Sequence, residues 1–367
     1  MPYKNIKAIA IHLPQFHPIP ENDEWWGKGF TEWTNVVKAR SFFKTHYQPH
    51  LPSDLGFYDL RLREVHEAQA SLAKEYGIDG FAYYHYWFHG KKLLEKPVEA
   101  MIESKKPDFP FCLIWANETW SRRWLGEEKE ILIKQEYSYE DDVNHALYLA
   151  NIFKDSRYIK VDGRPLFIIY RPDHLPDISQ TLKTFKKTVF DSIGVEPYIL
   201  ANNANYLRNE KILTNQGFDG FFSFRPQLGV FPWAFNDSFI FKRLYKNLRK
   251  YKVNSGRFKI FDYQEALLLM EKLEPESFEN TIPSVFVGFD NTARRGKKGI
   301  IIKENSAKLF REELERVSDK LNKSENNLGF VFINAWNEWA EANYLEPSVK
   351  FGRSFLEAVK DVFGETK

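Results

Sequence analysis

Eight short apolar runs recur along this chain with amphipathic stretches between them: 6–12, 79–86, 110–116, 165–170, 197–201, 218–224, 283–289 and 329–335. Near-continuous hydrophobic strands separated by helices specify a parallel sheet covered on both faces, because each strand has to bury both of its sides. Eight such units match a closed (β/α)8 barrel. The intervening helices are expected at 60–76, 95–104, 139–154, 179–193, 207–215, 262–273, 304–322 and 354–363, with Gly77 and Gly194 placed as C-terminal stop residues. The expected fold class is therefore α/β, one TIM barrel spanning residues 1–367 as a single catalytic unit. Two βα connections, roughly 13–59 after strand one and 225–261 after strand six, are far longer than usual and mark functional loops. The second contains Phe239 to Lys252, a basic amphipathic stretch that reads as a solvated helix face.

In a barrel the chemistry comes from the C-terminal ends of several strands, and here those ends are polar and aromatic. Strand one ends in His12 and Gln15, strand two in Tyr84, His85, Tyr86, Trp87 and His89, and strand three in Trp115, Asn117, Glu118 and Trp120. Strand four gives Tyr170, strand five Asn202, strand six Arg225 and strand seven Asp290. Strand eight runs into Trp336-Asn337-Glu338-Trp339-Ala340-Glu341. One shallow cup is expected to collect all of them. Glu338 and Glu341 are the catalytic candidates; if the chain turns helical there, their Cβ atoms lie roughly 5–6 Å apart, near the ~5–5.5 Å carboxyl spacing of retaining glycosidases.

The tryptophans suggest the ligand. All ten follow or end a strand-like run and none falls in an expected helix, so they read as flat platforms for sugar C–H faces, Trp26 in the first long loop among them. Glu118 would hold a substrate hydroxyl or pair with Arg122 or Arg123. His85 and His89 have the spacing of a helical metal pair but lack a third ligand, so hydrogen bonds to sugar hydroxyls or core tyrosines fit them better. The loop from Asp290 to Lys298 joins an acid to basic residues after strand seven, where barrels often bind phosphate. A uronic acid, a phosphate or no ligand would suit it. No phosphate-binding or dinucleotide-binding glycine loop is present, and neither a metal nor a cofactor is expected.

With 52 basic and 50 acidic residues, a formal net charge of +2 provides no field to recruit nucleic acid or an anionic membrane. An oligo- or polysaccharide remains the natural partner. The sole cysteine, Cys112, lies in an apolar run and reads as inert packing in a reducing compartment. No stretch reaches the ~20 apolar residues of a membrane span, leaving only peripheral membrane contact. No signal-peptide core is visible, so a cytoplasmic location is expected, although a chain trimmed of its signal would read the same.

Four segments carry a family resemblance: His12 through Asn35, Gly80 through Trp87, Trp115-Ala116-Asn117-Glu118 and Trp336 through Glu341. Across nearly the whole chain they resemble the WbsX family of bacterial polysaccharide gene clusters, often labelled glycosyltransferases. That family is similar to glycoside hydrolase family 99, the endo-α-mannosidases and endo-α-mannanases, mainly through the barrel and the strand-eight motif. The resemblance implies that Glu341 is a general acid/base and that Glu338 assists the sugar 2-hydroxyl in attacking the anomeric carbon, giving a 1,2-anhydro sugar. Ala340 stands where family 99 commonly has His, so sugar specificity does not transfer. The expected function is retaining cleavage or transfer of α-linked glycans of a bacterial polysaccharide. Two alternatives remain at this point: a glycosyltransferase of O-antigen or capsule biosynthesis using an activated donor, and a glycan-binding protein without catalysis.

Overall fold

The computed structural model describes residues 3, 5–122, 127–203, 210–228 and 259–364. Eight parallel strands form its centre: β1 (Lys7–His12), β2 (Gly80–Phe88), β3 (Phe111–Trp115), β4 (Arg164–Ile169), β5 (Tyr198–Asn202), β6 (Gly220–Ser223), β7 (Thr281–Phe286) and β8 (Phe330–Asn334). Each pairs with its neighbours in chain order. β8 returns to β1, with Ala10 opposite Ile333, and closes the barrel. β3, β5 and β8 are buried at every position, as strands covered on both faces must be.

The helices are α1 (Arg63–Glu75), α2 (Lys96–Ser104), α3 (Tyr139–Phe153), α4 (Ile178–Ile193), α5 (Glu210–Asn215), α6 (Tyr263–Leu273), α7 (Ala307–Lys323) and α8 (Ser354–Phe363). Local chemistry fixes several of their ends. Ser138, Asp177, Asp262 and Ser306 accept bonds from the first-turn amides of α3, α4, α6 and α7. Gly194, at φ 76°, stops α4 in the left-handed conformation that glycine adopts without a Cβ clash.

The first long loop contains two short helices. Pro20–Trp26 begins with a proline whose missing amide would have been unpaired there anyway, and Glu32–Lys38 begins with a reciprocal cap between Thr31 and Thr34. Trp25, Trp26 and Trp33 therefore lie on helices, which corrects the expectation that no tryptophan does. Most of the second long loop, residues 229–258 with Trp233 and the stretch Phe239–Lys252, lies outside the described residues, as do Arg123 and Trp124. Its return strand, Lys259–Asp262, joins Ile300–Lys303 and Phe289–Asp290 in a small sheet beside the strand-seven mouth. Among the described residues no helix is long and apolar enough to cross a membrane.

Candidate active site

Beyond β8 the chain makes a two-residue antiparallel bridge, Asn337–Glu338 with Asn343–Tyr344, around a 3-10 turn at Trp339–Glu341. This tighter turn replaces the α-helical one expected, and Glu338 stands just before it, at its N-cap. The turn is anchored from behind. The Asn337 amide accepts from Leu13 N at 2.7 Å and donates to Leu13 O at 3.1 Å, while Trp339 stacks on Tyr344 with ring centroids 3.9 Å apart.

The charge that organises the site comes from another strand end. Arg294, on the short helix Thr292–Arg295 after β7, donates from Nη1 to Glu341 at 2.6 Å, from Nη2 to Glu338 at 3.0 Å and from Nε to Glu32 at 2.8 Å. One planar fork thus holds carboxylates from strand eight and from the first long loop. Burial raises the proton affinity of both Glu338 and Glu341, with Arg294 pulling each back and Glu32 pushing each further up. One guanidinium faces three carboxylates, with Arg295 adding a weaker pull on Glu341, so burial prevails and both members of the pair hold a proton more tightly than an ordinary carboxylate.

These carboxylates open on a cavity of about 390 Å³ whose lining includes Gln15, Asn22, Trp26, Tyr84, Tyr86, Glu118, Trp120, Tyr170, Asn291, Arg294, Asn334, Glu338 and Glu341. Burial first, then the nearby Tyr, Glu338 and Glu118 groups, holds the Tyr84 and Tyr170 phenols well above their ordinary value. Both remain O–H donors. Trp120 is carried by the hairpin of Trp120–Arg122 with Glu127–Ile133, and the Arg122 guanidinium lies 5.6 Å from the Trp26 ring. Glu118 pairs with Arg171 at 2.7 Å, not with Arg122, which pairs with Glu130 at 2.5 Å.

The other candidates lie behind the lining, holding the scaffold. His12 is bonded to Gln69 at 3.2 Å, and burial lowers its basicity to a pKa of about 3. His85 meets His145 at 2.9 Å, and Trp87 donates to Asp141 at 3.0 Å while stacking on His145. Trp115 and Trp336 are fully buried, and Trp339 donates to Glu346 at 2.6 Å. Asn117 ties the β3 end to Arg171 N and O, and Asn202 reaches Tyr170 O at 3.1 Å. Arg225 is clamped by Glu313 at 2.6 Å and by Glu274. Asp290 is bonded to His46 at 2.7 Å and to Thr292 N at 2.9 Å, which consumes the acid of the strand-seven loop. The cup therefore draws on fewer residues than the strand ends suggested. Conversely, Glu32 was not singled out in the sequence, and Arg294 was read only as part of a basic loop. The neighbouring Trp33 gave the one sequence signal near Glu32.

Solved structures share this architecture. An endo-alpha-mannosidase of glycoside hydrolase family 99 from Bacteroides thetaiotaomicron, in complex with bis-tris propane, superposes with a TM-score of 0.58 at 12% identity, covering 96% of this chain and 94% of that one. A glycoside hydrolase-like protein gives the same TM-score and identity, covering 98% and 94%. At that identity the likeness concerns the fold. The uncharacterized protein WxcX of two Xanthomonas campestris pv. campestris strains is 40% identical over 356 residues, 96% of this chain and 49% of the relative. This chain thus spans about half the length of those relatives. A family model described as Glycosyltransferase WbsX matches residues 8–359, and on that match the chain belongs to the WbsX glycosyltransferase family.

Proposed function

We propose that this barrel cleaves or transfers α-linked glycans of a bacterial polysaccharide with retention of configuration, using Glu338 and Glu341. The observation that carries the reading is Arg294, whose one guanidinium gathers both carboxyls, together with Glu32, at the wall of an aromatic cavity. A site that keeps one proton shared between two carboxyls has a proton donor and a base side by side. Glu341 gives its proton to the departing glycosidic oxygen. Glu338 takes the proton of the sugar 2-hydroxyl, whose oxygen closes on the anomeric carbon as the old bond breaks, leaving a 1,2-anhydro sugar. Glu341, now ionised, deprotonates the incoming hydroxyl, which opens the three-membered ring, and the proton on Glu338 returns to O2. Water as that hydroxyl gives hydrolysis; a sugar gives transfer.

The division of labour follows the motif match, whereas burial ranks the two carboxyls the other way. The Glu338 side chain is 9% exposed and that of Glu341 24%, so burial alone makes Glu338 the better proton holder. Chemical rescue separates the roles. With a substrate bearing an activated leaving group, azide or formate should restore turnover to a variant that lacks the base, while a variant that lacks the acid should need no such help for its first step.

An activated-donor glycosyltransferase is the reading that the family description favours. Its departing phosphate needs a cation; Arg294 is already committed to three carboxylates, which leaves Arg295, in the same lining, as the side chain that reading would have to use. Product analysis with free α-linked oligosaccharides, and in parallel with sugar nucleotides, tests the choice. The proposal expects conversion of the oligosaccharide by wild type and conversion slower by roughly 10²–10⁴ by Glu341→Gln. Conversion of the sugar nucleotide alone contradicts it.

A further inference from the structure

Asn334 is the last residue of β8 and shares the cavity lining with Glu338. Its amide nitrogen donates to the Arg225 carbonyl at 2.8 Å. Arg225 is itself fixed by Glu313 and Glu274, and this bond decides which way round the amide sits. The oxygen, Oδ1, is left on the other side with no hydrogen-bond partner among the described residues, although the residue is only 3% exposed. Asn22, on the first-loop helix Pro20–Trp26, adds to the same lining a buried amide nitrogen without a partner among the described residues. Buried polar atoms are nearly always paired in native proteins, so an orphan in a cavity wall points to what the cavity binds. A wall offering an unpaired acceptor and an unpaired donor suits a ligand whose groups both donate and accept. A hydroxyl does both, and it replaces a bridging water without loss of bonding.

We propose that Asn334 Oδ1 is a specificity-determining acceptor for one free hydroxyl of the sugar at the Glu338–Glu341 pair. The chain then takes glycans unsubstituted at that hydroxyl and rejects those that are deoxygenated, O-methylated or O-acetylated there. This rests on the reading of the cavity as a carbohydrate site. It adds a requirement on the substrate that the carboxylates alone do not impose, because a site built to bond a hydroxyl leaves its own polar group unpaired when that hydroxyl is missing.

Saturation-transfer NMR titrations of the whole chain with the methyl α-glycosides of mannose, glucose, galactose and rhamnose identify the tightest binder. Its complete set of monodeoxy and mono-O-methyl derivatives then maps the hydroxyls. One position should stand out, where both derivatives weaken binding roughly 5- to 150-fold, the range expected for one buried unpaired group. Asn334→Ala should weaken the parent glycoside by a similar factor and abolish the discrimination at that position alone. Asn334→Asp, which keeps an acceptor oxygen of the same size, should retain the discrimination and serves where Asn334→Ala does not fold. Tolerance of change at every position, discrimination that survives in Asn334→Ala or is lost in folded Asn334→Asp, or no binding of any of the four glycosides to wild type would overturn the proposal. Binding is read without turnover. A chain with this preference that converts no glycan contradicts the catalytic reading and leaves the role of Asn334 standing.

Discussion

The strand-eight loop holds two sets of buried carboxyls a few residues apart, and they are satisfied in opposite ways. Glu338 and Glu341 share one guanidinium and line a cavity. Glu346 lies behind Trp339 and accepts from Trp339 Nε1 at 2.6 Å, Gln69 Nε2 at 2.8 Å and Tyr58 Oη at 2.9 Å. Neutral donors satisfy its oxygens without cancelling its charge, and burial pushes its pKa up to about 7. Burial and raised proton affinity are thus common to both sets and do not by themselves mark chemistry. What separates them is access: the pair lines the cavity, whereas Glu346 is sealed among groups that hold the Trp339–Glu341 turn in place. The two faces of β2 repeat the lesson. Tyr84 and Tyr86 reach the cavity while His85 and Trp87 turn outward onto α3.

The largest contrast is expected in turnover. Glu341→Gln preserves shape but cannot exchange protons, and should lower kcat by roughly 10²–10⁴ with the fold intact. Glu346→Gln should cost about tenfold or less, since it keeps an acceptor for Trp339 and Tyr58. Steady-state rates beside circular dichroism spectra check both, and equal losses would erase the distinction between the two sets.

Next comes the division of the tryptophans. Trp87→Ala removes a buried ring and should destabilise the protein by about 3–5 kcal/mol, seen in denaturant unfolding. Trp26→Ala and Trp120→Ala should cost less stability and instead weaken long glycans more than monosaccharides, because stacked rings along a groove define successive sugar positions. Equal losses for short and long ligands would move Trp26 and Trp120 to the scaffold side of the comparison.

The smallest effect concerns pH. A carboxyl whose folded pKa is raised binds its proton more tightly in the native than in the unfolded state, so its contribution to stability is lost as pH rises from its unfolded value through its folded one. For Glu346 that window runs from about 4.5 to about 7. Glu346→Gln should therefore flatten the fall in unfolding free energy between pH 5 and pH 8. An unchanged slope would mean that Glu346 is ionised in the native protein throughout.

The barrel was legible because its signal is local: each apolar run has to be buried on both faces, and caps such as Ser138 and Gly194 act within one turn. The Glu338–Glu341 pair proposed for catalysis was visible because both carboxyls sit on one short motif. The rest depends on what meets in space. Arg294 and Glu32 are far apart in the chain and become partners only when the first long loop packs Trp33 against Trp339, ring centroids 5.7 Å apart. Asp290 and Arg225 look like ligand-binding groups until His46, Glu313 and Glu274 close on them. Strand parity was available in the sequence and would have divided Tyr84 and Tyr86 from His85 and Trp87, since neighbouring residues of a strand face opposite ways. Of the tryptophans, Trp115, Trp336 and Trp339 proved to be core because aromatic bulk at a strand end can fill a barrel as readily as it can line its mouth.

The central claim is that Glu338 and Glu341 act together on one anomeric carbon. Early-time proton NMR of the reducing end released from an α-linked oligosaccharide tests it most directly. An anhydro sugar and a glycosyl ester both require two successive inversions at that carbon, and so net retention. The account predicts that the α-anomer appears first and mutarotates to the equilibrium mixture. Initial release of the β-anomer would contradict it and require a base from another strand, with Glu118, the carboxylate that lines the same cavity, the first to test.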